Sequence, residues 1–265
     1  MFLSTPNIGI CKLCLSSGEL RDSHFIPKSA YKILLRSEST PPIVVKPTVA
    51  LHTNDQVRDY VLCPRCEQRF DENGERWVMR NCYRGDHKFK LKDFIDASQP
   101  VIETRSQVYS AALIPQIDIE KLTYFVASII WRNSVHDWRS GKDKVARIYL
   151  GPYREELRHY LLGETSFPQN AALVLSIIPD SNLWNFFSFP IGGKVNQHWQ
   201  YNFSLLGLSF MFFLGGLIDP IITKICTYRS PEKFIFMTDD ANQMVFRDFG
   251  KLIKKSRPVG SLNND

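Results

Sequence analysis

The sequence predicts an α+β fold: a small metal-stapled module at the N-terminus, a helical middle and a strand-rich C-terminal part. Three observations carry this prediction. Four cysteines fall as two C-x-x-C pairs, Cys11-Lys-Leu-Cys14 and Cys63-Pro-Arg-Cys66, with 48 residues between the inner two. The stretch Ile117–Trp138 is apolar on two helical faces. From residue 170 onward, β-branched and aromatic runs alternate with Pro, Gly and Asn, the punctuation of short strands. The expected division is residues 1–95 for the metal module and 96–265 for an α+β domain that selects a substrate or partner.

Composition sets the outer bounds. At 265 residues the chain has room for one large domain or two small ones. Its 44% hydrophobic and 12% aromatic content can fill a core, which excludes wholesale disorder. Fourteen Gly and fifteen Pro without period exclude a collagen-like chain, and no internal repeat points to a solenoid. Thirty-three Lys and Arg against 27 Asp and Glu leave a formal charge of +6, which favours a polyanionic partner such as nucleic acid. The opening MFLSTPNIGICK lacks the basic and long apolar stretches of a signal peptide, so a cytoplasmic, reducing setting is expected. Residues 201–218 carry no charge but fall short of the ~20 apolar residues that span a bilayer. Asn202, three glycines and the following Asp219-Pro220 make them buried strands joined by a Gly215-Gly216 bend, and no membrane partner is expected.

The remaining elements follow in order. Ser29–Arg36 reads as a short helix that Thr40-Pro-Pro breaks; 43–62 reads as extended, ending in the strand DYVLC. Residues 96–116 read as a connector. In the helix from Ile117, Leu122, Phe125, Val126, Ile129 and Ile130 share one face, with Tyr124, Trp131, Val135 and Trp138 opposite. A helix apolar on both sides belongs between layers. Arg132 and His136 flank its first face. Tyr153–Leu162 reads as a helix stopped by Gly163. AALVLSI, LWNFFSF, the 201–214 run, ITKICTYR and KFIFM read as strands, and Asp239 or Asp240 as the cap of a last helix, 241–255.

Chemistry concentrates near the cysteines. A C-x-x-C turn presents two thiolates to one ion, so two turns complete a tetrahedral structural Zn²⁺ site from Cys11, Cys14, Cys63 and Cys66. Cys82 and Cys226 read as core thiols. A helix starting at Cys66 would align Glu67, Asp71 and Glu75 at i, i+4 and i+8, a stripe of hard oxygen ligands suited to Mg²⁺ or Mn²⁺. Arg69, Arg76 and Arg80 would lie on its reverse side. Together with Arg84, Lys88, Lys90 and Lys92, interleaved with Trp77, Tyr83 and Phe89, they suit phosphate contact and base stacking. Asn73-Gly74 is a turn signal within that helix. No phosphate loop accompanies Gly192-Gly-Lys194, and no Ser- or Cys-based nucleophile relay is present in the sequence.

Between the cysteine pairs stands Ser23-His24-Phe25-Ile26-Pro27. The order C-x-x-C, hairpin, His-apolar-apolar-Pro, C-x-x-C resembles the zinc-containing branch of the HNH (ββα-metal) endonucleases over about residues 9–80. That resemblance implies a treble-clef module, His24 as the general base that activates water, and a catalytic divalent cation, for which Glu67 or Asp71 of the stripe is the expected ligand. It also implies phosphodiester hydrolysis, with DNA the favoured substrate, in a mobile-element or phage-defence setting. Three positions depart from the family pattern: Ser23 replaces the Asp before the His, Arg58-Asp59-Tyr60 stands where an Asn is expected, and Glu67–Asp71 replaces the Asn or His after the second pair. A zinc-stapled module that binds nucleic acid or a protein partner without turnover is the rival reading, residues 96–265 supplying the protein-binding surface.

Overall fold

The computed structural model describes residues 6–36, 43–45, 49–216, 218–241, 243, 250 and 254–259. The N-terminal part opens with the hairpin β1 (Ile8–Ile10) and β2 (Ser17–Glu19), whose connection carries the first cysteine pair. There follow β3 (Arg21–His24), α1 (Lys28–Arg36), β4 (Ile43–Val45), β5 (Val49–His52) and β6 (Arg58–Leu62). Strand β6 returns antiparallel to β3, setting Ser23 opposite Asp59 and His24 opposite Arg58. Immediately after Cys63 comes α2 (Pro64–Phe70), with Pro64 at the first turn, where its missing N–H costs nothing.

The Asn73-Gly74 signal does not end this helix. The chain passes through a π-helical turn, Asp71–Glu75, into α3 (Arg76–Asn81), and the junction residues Phe70, Asp71, Glu75 and Arg76 all keep right-handed helical dihedrals. Gly74 is buried because the backbone of the central helix crosses it: a Cβ there would sit 2.8 Å from the Phe125 nitrogen and 3.0 Å from the Lys121 carbonyl oxygen. A π turn widens the helix, so side chains five apart come into line, and Arg76 pairs with Asp71. The predicted stripe is thereby broken: Asp71 stays outside while Glu75 turns inward.

The rest comprises α4 (Lys90–Asp96), β7 (Ile102–Glu103), β8 (Ser106–Ser110), α5 (Ile119–Val135), β9 (Arg139–Ser140), β10 (Asp143–Lys144) and α6 (Tyr153–Leu162). It continues with β11 (Ala171–Ile177), β12 (Ile191–Val195), β13 (His198–Leu205), β14 (Leu208–Leu214), α7 (Pro220–Ile225), β15 (Phe234–Thr238) and the short β16 (Arg257–Pro258). Seven strands form one sheet in the order β12-β13-β14-β11-β15-β8-β7, with only β11–β15 parallel. The mixed α/β architecture expected from the sequence is present. Helix α5, capped by Asp118, is buried from Ile119 and from Leu122 through Ser134; the π turn packs on it from one side and its Phe125 meets Phe210 of β14 on the other. The boundary at 95/96 therefore separates no two cores: one contiguous buried cluster runs from Cys11 and Phe25 through Phe70 and Trp131 to Phe212 and Ile235.

Several local expectations change. The connector 96–116 contributes β7 and β8 to the sheet; SQVYS is too short and polar to announce a strand. LWNFFSF is not a strand: it leaves a 3₁₀ turn, Ser181–Leu183, and makes a lone bridge, Phe187 with Leu205. In ITKICTYR the start signal Asp219-Pro220 outweighs the β-branched residues, and α7 forms, with Asp219 accepting from the Ile221 N–H. Within the uncharged run, residues 201–214 belong to the hairpin β13–β14, but its turn is Leu206-Gly207, at φ of 46° and 85°, rather than Gly215-Gly216. Two consecutive positive φ values are what a two-residue type I′ turn requires. Among the described residues no helix is long and apolar enough to cross a membrane. The helix expected over 241–255 lies largely outside the described residues.

Gly74→Ala should lower stability by about 1–3 kcal/mol, since rigid backbone must move and this outweighs the ~1 kcal/mol helix-propensity gain. Gly207→Ala should also destabilise, as its Cβ would meet Phe89 at 2.5 Å. Gly193→Ala, whose Cβ would meet nothing beyond its chain neighbours within 4 Å among the described residues, should be neutral; urea denaturation of the three variants checks the ranking.

Candidate metal centre and the histidine beside it

The two cysteine pairs converge. Sγ atoms of Cys11, Cys14, Cys63 and Cys66 all lie within 4.8 Å of one another, and those of Cys14 and Cys63 are 3.8 Å apart. A disulfide would need about 2.05 Å, whereas four sulfurs ~2.3 Å from a tetrahedral ion stand about 3.8 Å apart, so the donor set fits an ion such as Zn²⁺. Backbone builds the cage. The Lys12 N–H reaches the Val61 carbonyl at 3.0 Å, tying the first turn to β6, while the Cys66 and Glu67 N–H groups both donate to the Cys63 carbonyl. Leu15 closes the first turn at a φ of 61°.

Electrostatics point the same way. A hydrogen bond from the Cys66 thiol pulls the Cys11 thiol well below its ordinary value, while that same bond and burial push Cys66 up; burial also raises Cys63. Once one thiolate has formed, the others resist ionising. A divalent cation removes that penalty for the whole set. Cys82 and Cys226 are buried and outside the cluster, as expected, and burial pushes Cys82 up to about 12.

His24 ends β3 with its imidazole half-buried. Its Nε2 lies 2.8 Å from the Gln56 Oε1, and burial holds its pKa below the ordinary 6.5, leaving the ring neutral near pH 7. Strand alternation puts Asp22 on the same face, where it pairs with Arg58 at 2.5 Å. Ser23 faces inward, donating to the Arg21 carbonyl and accepting from the Leu62 N–H, so it holds the hairpin together.

Beneath His24 lies a charge network that the sequence did not disclose. The Arg132 guanidinium, 1% exposed, donates to the His24 carbonyl at 2.7 Å, the Phe25 carbonyl at 2.9 Å and Glu75 Oε1 at 2.5 Å. It also lies 4.9 Å from the centre of the Phe70 ring. Burial lifts the Glu75 carboxyl above its usual range, against the pull of Arg132. A single arginine in a helix apolar on two sides was the available signal, because such a charge is buried only when paired. His136, expected one helical turn beyond, lies past the helix end and meets Asp59 at 2.8 Å.

The other candidates divide. Asp71 is taken up by Arg76; Glu67 keeps one buried carboxylate oxygen without a hydrogen-bond partner. Among the described residues the four cysteines form the one group close enough to share an ion, so His24, Glu67 and Asp71 do not gather into a second. Arg69 donates to the Leu162 carbonyl at 2.7 Å and so braces α6, whereas Arg80 and Arg84 are exposed. The aromatics of the basic run turn inward: Phe89 is buried, and it and Tyr83 pack on Trp184, which leaves neither free to stack on bases. Comparison with protein-family models, curated proteins and solved structures finds no match to this chain.

Cys63→Ser should reduce bound zinc to well below one equivalent by elemental analysis. Chelation of the wild-type protein should lower its melting temperature sharply, since such sites contribute ~10–16 kcal/mol of apparent binding energy. Arg132→Met should cost ~3–5 kcal/mol by leaving Glu75 buried without its partner, and adding Glu75→Gln should recover part of that loss in a denaturation cycle.

Proposed function

We propose that this chain is a metal-dependent nuclease of the HNH type, hydrolysing phosphodiester bonds with His24 as general base. The observation that carries the reading is the unit formed by β3, β6 and the helix from Pro64. Four cysteines converge beside it, and a half-exposed neutral imidazole sits at the end of its first strand. In the proposed reaction His24 takes a proton from water as its oxygen attacks phosphorus and the P–O bond to the leaving oxygen breaks. Gln56 orients the ring and holds its tautomer through Nε2. Glu67 keeps a buried oxygen without a hydrogen-bond partner and is the residue we assign to hold Mg²⁺ or Mn²⁺, which would supply charge stabilisation at the leaving oxygen. Arg80 and Arg84 offer exposed charge to a backbone, with DNA the favoured substrate.

A second reading, binding of nucleic acid without turnover, is favoured by one observation: two of the three carboxylates of the expected stripe, Asp71 and Glu75, already have arginine partners.

Cleavage of plasmid and single-stranded DNA and RNA with Mg²⁺ or Mn²⁺ decides between them. On the nuclease reading His24→Ala loses at least ~100-fold in rate. Activity should hold steady above neutrality and fall on acidification only below pH 6.5, because a depressed imidazole pKa delays protonation of the base. Binding that weakens steeply with salt, with no cleavage under either metal, would establish the second reading instead.

A further inference from the structure

Next to the His24 hairpin a cleft of about 650 Å³ opens between α1, the loop before β6, the β9–β10 hairpin and the segment 185–191. That volume falls in the range of small-molecule sites, ~300–1,000 Å³. Aliphatic side chains make up most of its apolar wall, and Tyr31, Phe187 and Phe189 add aromatic rings to it. Tyr31 meets the Phe187 edge at 5.0 Å, Phe189 stacks on Phe25 at 5.2 Å, and Phe25 stacks in turn on Trp138. The rings are therefore anchored to the residue that follows His24. Phe187 and Phe189 remain half-exposed where they line the cleft.

The polar groups of the lining narrow the occupant. Gln56 and Asn202 supply amides and Ser188 a hydroxyl, groups that read a neutral edge of donors and acceptors. Of the charged residues, Asp55, Asp137 and Asp143 outnumber Lys144 and Arg147, and Arg147 already donates to Asp137 at 3.2 Å. A phosphate or carboxylate would meet more negative than positive charge. An aliphatic chain would leave the amides unmatched. Gln56 also faces His24, so an occupant hydrogen-bonded to that amide would act on the imidazole behind it.

We infer that this cleft binds an uncharged, planar heteroaromatic molecule of the nucleoside class, and that the bound edge reports to His24 through Gln56. The inference goes beyond the nuclease reading, and neither of its readouts depends on phosphodiester cleavage. Full-length protein is titrated with adenosine, guanosine and uridine by calorimetry, while the imidazole resonances are followed by NMR. At least one nucleoside should saturate a single site below millimolar concentration, and its 5′-monophosphate should bind at least tenfold more weakly. Asn202→Trp, which fills the cleft, should abolish binding; Phe187→Ala reads the same loss if the tryptophan variant fails to fold. Saturation should shift the His24 ring signals, and Gln56→Leu should remove that shift. No saturable binding by any of the three, equal affinity for the monophosphate, or a filled cleft that binds as before overturns the site. Saturation that leaves the His24 signals unmoved overturns the link through Gln56.

Discussion

A buried guanidinium holds the two halves of the molecule in register. Arg132 rises from the central helix into the base of the β3 hairpin, and three oxygens from two other elements close around it. Taking that charge out of water is costly, and only the Glu75 carboxylate together with the two carbonyls offsets the cost. The packing around it follows from this geometry. The π turn brings Glu75 within reach, Gly74 lets the two helices approach closely, and the Phe70 ring covers the guanidinium.

The thiolate cluster performs a different task. The β1–β2 hairpin is two three-residue strands, too small to bury a core of its own. Coordination by Cys11 and Cys14 would fasten it to the start of α2, where Cys63 and Cys66 stand, and the hydrogen bond from Lys12 to Val61 aligns it beforehand. The ion site and the arginine network thus grip the same helix near its start and at its π turn. Between them they define where the imidazole of His24 stands relative to the helix carboxylates.

The acidic helix also shows how competition for partners reshapes a site. Three carboxylates evenly spaced in sequence meet three different fates: one bound to a neighbouring arginine, one buried in the interior, one with an oxygen lacking a partner. Of the three, Glu67 is the one that keeps a buried oxygen without a hydrogen-bond partner.

The sequence by itself determined the elements whose signals are local. Paired cysteines at turn spacing, a helix apolar on two faces, a glycine stop after Leu162 and a β-branched run at 171–177 all lead to the structures they announce, because backbone sterics and side-chain periodicity operate over a few residues. Tertiary contacts decided the rest. Nothing local distinguishes Gly74 as a packing contact from a helix stop until α5 crosses it, or SQVYS as a strand until Phe234–Thr238 pairs with it. The phase of the carboxylate stripe depended on one extra residue in a helical turn. The inward course of Phe89 and Trp184 depended on surfaces contributed by distant segments. Charge and hydrophobicity are properties of residues, but whether a given side chain meets water, a partner or a core is settled by neighbours far away in the chain.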